Sequence, residues 1–496
     1  MEEGSSPVSS EQDDQDDVLM SVSFNQDGGC LAVATANGFR ICNVSPYQET
    51  FRRVLASSAA SPAGGGAIGT VAMLFRCNLL CLTGGGAIRS LHTNANFYCP
   101  PNKVLIWDDH LGRCIGELSF RQCVLAVKLR RDRIAVALRD RVYVYNFSDL
   151  NVLDKIYTSD NPNGLLQIST EVSSSSAGAG SSSGSSANSS GMVLACPSVT
   201  PGQVRVELYG MRKTVLIDAH ESNLAALALT ADGSLLATAS EKGTVIRLFD
   251  ARRQNAPPIQ EFRRGVERAT VSSLAFHSQA WLACSSDRGT VHVFAITYAG
   301  TPTINNNNTT SKSWSKTLSS PGKYLLKKAS GGGEGKIYSS VAQVRGVPHP
   351  MVCAFVPDSV ADSTTPTLAV AGMDELGNGV LLLSELASDG GEPKRVGYHR
   401  FFKKSGSAAL AAAAQKSKKK PHQHSSASPQ ELYVQDTATY IAHGFDNIIV
   451  REEEDEIGFV SVEKTDPKSA APSTVPSSPT KSDEPGNVRG QEISAE

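Results

Sequence analysis

What this chain lacks narrows its function before any motif is read. Its 47 Lys and Arg nearly balance 49 Asp and Glu, and the net charge of −2 gives no global field for nucleic acid or an anionic membrane. Electrostatic recognition must therefore come from local patches. No apolar run approaches the roughly 18–20 residues that a spanning helix requires, and the N-terminus is polar and acidic rather than a secretory signal. The ten cysteines form no C-x-x-C pair and have no closely spaced histidine beside them. That excludes the common zinc and redox motifs and points to buried, reduced thiols of an intracellular protein.

Catalytic signatures are equally scarce. Gly64, Gly66 and Gly69 have the spacing of a dinucleotide loop but follow an Ala/Ser/Pro stretch with no helix after them. GGGEGK, ending at Lys336, fails as a phosphate loop because Ser330 and Ile337 stand where Gly and Ser/Thr are required. H-E-x-x-H and metal-spaced clusters are absent. No catalytic residue, metal or cofactor is expected, and the chain does not read as an enzyme.

What is present is an internal repeat. LLATASEKGTVIRLF from Leu235 and WLACSSDRGTVHVF from Trp281 share one plan: an apolar strand, small hydroxyl residues, a charged Gly-Thr turn and an alternating strand. Their separation is close to the roughly 40–45 residues of a four-stranded propeller blade. Comparable strand-turn-strand units start at Leu31, Leu79, Ile134, Val193 and Leu368. Together they predict an all-β, seven-bladed β-propeller over residues 18–402, since a closed ring removes long exposed sheet edges.

Between and around these units the composition shifts. Insertions are expected near 57–69, 87–101, 171–191 and 296–336, the third being a Ser/Gly tract with nothing to bury. Residues 1–17 read as a disordered acidic arm, 403–430 as a basic low-complexity linker and 464–496 as a disordered tail. The apolar segment within 431–463 could add a strand or a helix to the ring.

Between the two central repeats sits Phe262-Arg263-Arg264-Gly265. Successive side chains of a strand point to opposite sides, so neighbouring arginines there serve two sites rather than one. The guanidinium fork suits phosphate oxygens, and each repeat adds Ser, Thr and a basic residue at its turn. Two adjacent anion pockets follow.

These residues resemble the PROPPIN family, the phosphoinositide-binding β-propellers of autophagy that include the WIPI proteins. The likeness rests on FRRG, Ala219-His220, SEKGT with Ile246-Arg247, and SDRGT with Val291-His292; weaker correspondence runs from about Ser21 to Phe402. Only Trp107-Asp108 keeps the dipeptide of ordinary WD40 blades. The resemblance implies that Arg263 faces a fifth-blade pocket with His220, Ser240, Lys242, Thr244 and Arg247. Arg264 would face a sixth-blade pocket with Arg268, Ser286, Thr290 and His292. Arg288 stands where many relatives have Lys, which keeps the charge.

The implied ligands are phosphatidylinositol 3-phosphate and phosphatidylinositol 3,5-bisphosphate, with no nucleic acid. The implied protein is a monomer in solution, cytoplasmic and peripheral on preautophagosomal, endosomal or vacuolar/lysosomal membranes. It would recruit an autophagy scaffold or lipid-transfer protein through a surface around blades two and three. A WD-repeat interaction scaffold without specific lipid binding is the alternative reading. The 296–336 insertion interleaves Trp314, Leu318, Tyr324, Leu325 and Leu326 with lysines, a composition suited to a membrane interface. Its position resembles the family's loop that dips into the bilayer.

Overall fold

The computed structural model describes residues 17–55, 66–87, 99–170, 191–297, 337–357, 365–387, 392–404 and 448–451. They form seven sheets of four or five strands, a seven-bladed β-propeller as expected. Blade 1 is β1 (Leu19–Phe24), β2 (Cys30–Thr35), β3 (Gly38–Asn43) and β4 (Gln48–Val54). Blade 2 is β5 (Gly66–Met73), β6 (Leu79–Ala87), β7 (Lys103–Asp108) and β8 (Arg113–Ser119). Blade 3 holds β9 (Ala126–Leu129), β10 (Arg133–Ala137), β11 (Arg141–Asn146) and β12 (Val152–Tyr157). Blade 4 holds β13 (Gln167–Ile168), β14 (Val193–Pro197), β15 (Gln203–Leu208) and β16 (Lys213–Asp218).

The central repeats are blades 5 and 6. The first comprises β17 (Leu224–Leu229), β18 (Leu235–Ser240), β19 (Val245–Asp250) and β20 (Gln260–Arg263). The second comprises β21 (Val271–His277), β22 (Trp281–Ser286) and β23 (Thr290–Ala295). The chain then returns to lay β24 (Ile337–Ser339) parallel on the outer edge of blade 5 and β25 (Ala342–Arg345) antiparallel on that of blade 6. Blade 7 is β26 (His349–Phe355), β27 (Thr367–Met373), β28 (Gly379–Glu385) and β29 (Lys394–Phe402). A final strand, β30 (Ile448–Arg451), pairs parallel with β8, so the apolar segment after the basic linker adds a strand to blade 2.

Packing follows from the period-2 pattern. Each blade is apolar on both faces, and the buried side chains of adjacent blades merge into one cluster per interface. Leu236 and Phe249 meet Val204 and Val206 between blades 4 and 5, and Ile246 and Phe262 meet Cys284 and Phe294 between blades 5 and 6. The ring closes by the same face packing, with Leu31 and Val33 of blade 1 against Leu381 and Phe401 of blade 7. Arg40 ties that seam by donating to the Phe401 carbonyl at 3.2 Å.

Two expected boundaries move. Strand β5 starts at Gly66, inside the insertion expected over 57–69, because Ala67, Ile68 and Val71 carry enough apolar surface to join the core. Asp17, counted above with the acidic arm, is part of the fold: it is buried, accepts the N–H groups of Val18 and Asn37, and lies 3.7 Å from Arg40. The remainder of residues 1–17, the 171–191 and 296–336 insertions but for their end residues, and the 464–496 tail lie outside the described residues.

Candidate phosphate-binding grooves

Strand register places the two arginines of the FRRG motif. In the blade 5 sheet Val245 pairs with Arg263, Arg247 with Glu261, and Thr238 with Arg247. Cross-strand partners share a face, so Thr238, Ser240, Arg247, Glu261 and Arg263 lie together, continuous with Leu236 and Phe249 in the core shared with blade 4. Phe262 and Ile246 occupy the opposite face and pack against blade 6. By the same alternation Arg264, two residues beyond Phe262, turns toward blade 6. One dipeptide therefore supplies two grooves.

In the groove between blades 4 and 5, His220 and Arg247 come together as the sequence suggests. His220 Nε2 is 2.9 Å from Thr238 Oγ1, and Arg247 Nη1 donates to the Ala219 carbonyl at 2.7 Å. Burial, reinforced by the Arg247 charge, pushes the His220 imidazole down to about 4, so it is neutral at pH 7. Arg263 is half-buried on this face and forms no ion pair among the described residues. Ser240 is buried, and its carbonyl accepts the Gly243 N–H at 2.8 Å to close the β18–β19 turn. Lys242 and Thr244 sit on that turn, Lys242 exposed and 3.9 Å from Glu221. Sequence reading missed Thr238 and Glu261. Glu261 accepts from Arg247 Nε at 2.7 Å and occupies one edge of its fork.

The second groove lies between blades 5 and 6. The two blades meet there through an aromatic core contact, with the Phe262 and Phe294 rings 5.0 Å apart. From β22 and β23 come Ser286, Thr290 and His292, which share a face because Cys284 pairs with His292. Ser286 is fully buried and its hydroxyl has no hydrogen-bond partner among the described residues. His292 Nδ1 lies 3.3 Å from Ser340 Oγ. Its imidazole is pushed down to about 4 by burial, then by the charges of Arg264 and Arg345.

Arg264 departs from expectation. A pocket-facing arginine would keep its guanidinium accessible, yet Arg264 is only 7% exposed. Its Nε donates to the Gly243 carbonyl and its Nη2 to the Glu267 carbonyl, while its own N–H bonds Thr244 O at 3.0 Å. It thus pins the β18–β19 turn to the segment after β20. Arg268 exposes its side chain and contributes its carbonyl, which accepts Arg288 Nη2 at 2.9 Å. Arg345, which no motif marks, lies opposite Thr290 on the same face. Trp314, Leu318, Tyr324, Leu325 and Leu326 lie outside the described residues.

The family model for PROPPIN matches residues 18–332. The chain belongs to the PROPPIN family. Among curated relatives of this PROPPIN, autophagy-related protein 18e of Arabidopsis thaliana is 39% identical over 279 residues, covering 56% of this chain and 66% of the relative. SVP1-like protein 2 of Neurospora crassa is 36% identical over 284 residues, with 57% of each chain covered. The chain thus spans under two thirds of the length of these relatives.

Solved structures agree on the fold. Hsv2 from Kluyveromyces marxianus superposes with a TM-score of 0.52 at 19% identity, covering 78% of this chain and 99% of that one. KlAtg21, solved in complex with the coiled-coil of AgAtg16, gives 0.54 at 22% identity, covering 78% and 99%.

Proposed function

We propose that this PROPPIN is a peripheral membrane protein that binds phosphatidylinositol 3-phosphate and the 3,5-bisphosphate through the two grooves and recruits autophagy machinery to membranes. The observation that carries the reading is the opposite orientation of Arg263 and Arg264: Arg263 shares a face with Thr238, Ser240 and Arg247, beside which the neutral His220 sits, and Arg264 turns toward the neutral His292. Neutral imidazoles and hydroxyls donate hydrogen bonds to phosphate oxygens while the guanidinium groups supply charge. Relatives carrying autophagy-related names support the cellular role. The KlAtg21 complex supports a protein partner, and that partner would use blades two and three, away from the grooves.

Two grooves on one rigid ring raise avidity through effective concentration, so losing one weakens recruitment to a sparse lipid surface by more than half. Vesicle flotation tests this. The wild-type chain should float with vesicles containing the 3-phosphate lipid and not with unphosphorylated phosphatidylinositol. The Arg263→Ala, Arg264→Ala double variant should stay at the bottom while retaining a cooperative melt. Flotation of that folded double variant, or indifference of the wild type to the 3-phosphate, would leave a protein-binding scaffold instead.

A further inference from the structure

The two grooves are not electrostatically equivalent. In the groove between blades 4 and 5 the Glu261 carboxylate lies on the same face as Arg247 and Arg263 and is engaged by Arg247. On the facing strands of the second groove, β22, β23 and β25, no carboxylate shares the face that carries Ser286, Thr290, His292 and Arg345. Glu267, on the segment after β20, is exposed and lies 3.7 Å from Arg288.

Within the second groove the cations differ in what they can offer. Arg264 is buried and spends two edges of its fork on backbone carbonyls. Arg288 is held by the Arg268 carbonyl and by Glu267. Arg345 is exposed, and among the described residues its side chain meets only Gln343, whose Oε1 accepts from Nη2 at 2.6 Å. Its partner strand residue is Thr290. The chain crosses here from blade 5 to blade 6, so Ser340, at His292, and Arg345, paired with Thr290, flank the face that also carries Ser286, whose hydroxyl has no partner among the described residues.

We propose that Arg345 is a further ligand of the groove between blades 5 and 6, giving that groove its selectivity for a headgroup bearing a second phosphate. This rests on the functional reading above. One phosphate engages His292, Thr290 and Ser286 in the field of Arg264, and the second meets the Arg345 guanidinium on the donors that Gln343 does not occupy. The groove between blades 4 and 5, where Glu261 offsets one cation, takes the singly phosphorylated headgroup. The recognised chemistry is a 1,3-related pair of phosphates on a polyol ring, whether carried by a lipid or free in solution.

The test compares the full chain with Arg345→Gln and Arg345→Lys on vesicles carrying either the 3-phosphate or the 3,5-bisphosphate lipid, and by calorimetry with the soluble inositol headgroups. Loss of a charge-assisted bidentate contact is expected to weaken 3,5-bisphosphate binding about ten-fold. Binding of the 3-phosphate should change less than about three-fold, and Lys should restore only part of the loss because it lacks the fork. The same pattern with soluble headgroups assigns the effect to headgroup chemistry; an effect on vesicles alone would reassign Arg345 to general attraction by the membrane surface and overturn the proposal. Equal affinities of wild type and Arg345→Gln for the bisphosphate would overturn it as well. A wild-type chain that binds neither lipid would instead defeat the underlying reading, and unchanged melting temperatures separate all of these from misfolding.

Discussion

Arg263 and Arg264 are neighbours in sequence, yet one is half-buried toward blade 4 without an ion pair among the described residues and the other is buried toward blade 6 between two backbone carbonyls. Their substitutions should therefore separate. Removing the Arg264 guanidinium leaves the Gly243 and Glu267 carbonyls without that donor, at a cost of about 1–3 kcal/mol. Arg264→Ala should lower the melting temperature by several degrees, whereas Arg263→Ala should move it by less than about one degree. Differential scanning calorimetry decides: equal melting temperatures would mean that Arg264 serves the ligand alone.

The glycines of the three motifs divide in a way their sequence does not announce. Gly243 has φ +60°, and a Cβ there would lie 1.8 Å from the Ala269 carbonyl oxygen. Gly265, the last residue of FRRG, has open space around it. Gly243→Ala should destabilise the fold by about 2 kcal/mol or more and weaken both grooves, because the turn it closes carries Lys242 and Thr244 and anchors Arg264. Gly265→Ala should stay within about 0.5 kcal/mol of wild type. Chemical denaturation of the two variants checks the contrast, and comparable losses would contradict the steric assignment.

Much of the ring was legible because propeller blades repeat a period-2 pattern with Gly-containing turns, and the units from Leu31 to Leu368 all fall in β-strands of the seven blades. The opposite orientation of Arg263 and Arg264 followed from strand alternation alone. Arg345 was hidden for a physical reason. It reaches the groove through β25, which follows the long insertion after β23, so no local spacing links it to Thr290. Glu261 was hidden differently: its role appears only once β19 and β20 pair in register. The depth of Arg264 was not legible because burial of a cation depends on carbonyl partners, which sequence does not display.

Both groove histidines make stability depend on pH. Each imidazole sits near 4, against an ordinary value of 6.5, so the unfolded chain takes up protons first as the pH falls. Their stability contribution is intact above about pH 6.5 and is lost progressively as the pH drops toward about 4. The urea midpoint should decline between pH 7 and pH 5, and His220→Gln with His292→Gln should flatten that decline. A bound phosphate beside these rings favours the imidazolium, so headgroup affinity should tighten over the same interval. A double variant with the wild-type pH slope would assign the acid sensitivity to other groups.

We propose that the 296–336 insertion is a second anchor, whose two contributions should then separate by salt. Its lysines are worth about 1 kcal/mol each near an anionic surface, screened over about 8 Å at physiological ionic strength. Trp314, Leu318, Leu325 and Leu326 would contribute instead in proportion to the apolar area that inserts, which salt does not screen. Replacing these four by Ser should reduce vesicle binding even in high salt. Neutralising Lys312, Lys316, Lys323, Lys327 and Lys328 should matter mainly at low salt and on anionic vesicles. Because the grooves remain, both variants should keep their preference for the 3-phosphate lipid over unphosphorylated phosphatidylinositol. Deleting the insertion and finding vesicle affinity unchanged at every salt concentration would reduce it to a tether between blades 5 and 6.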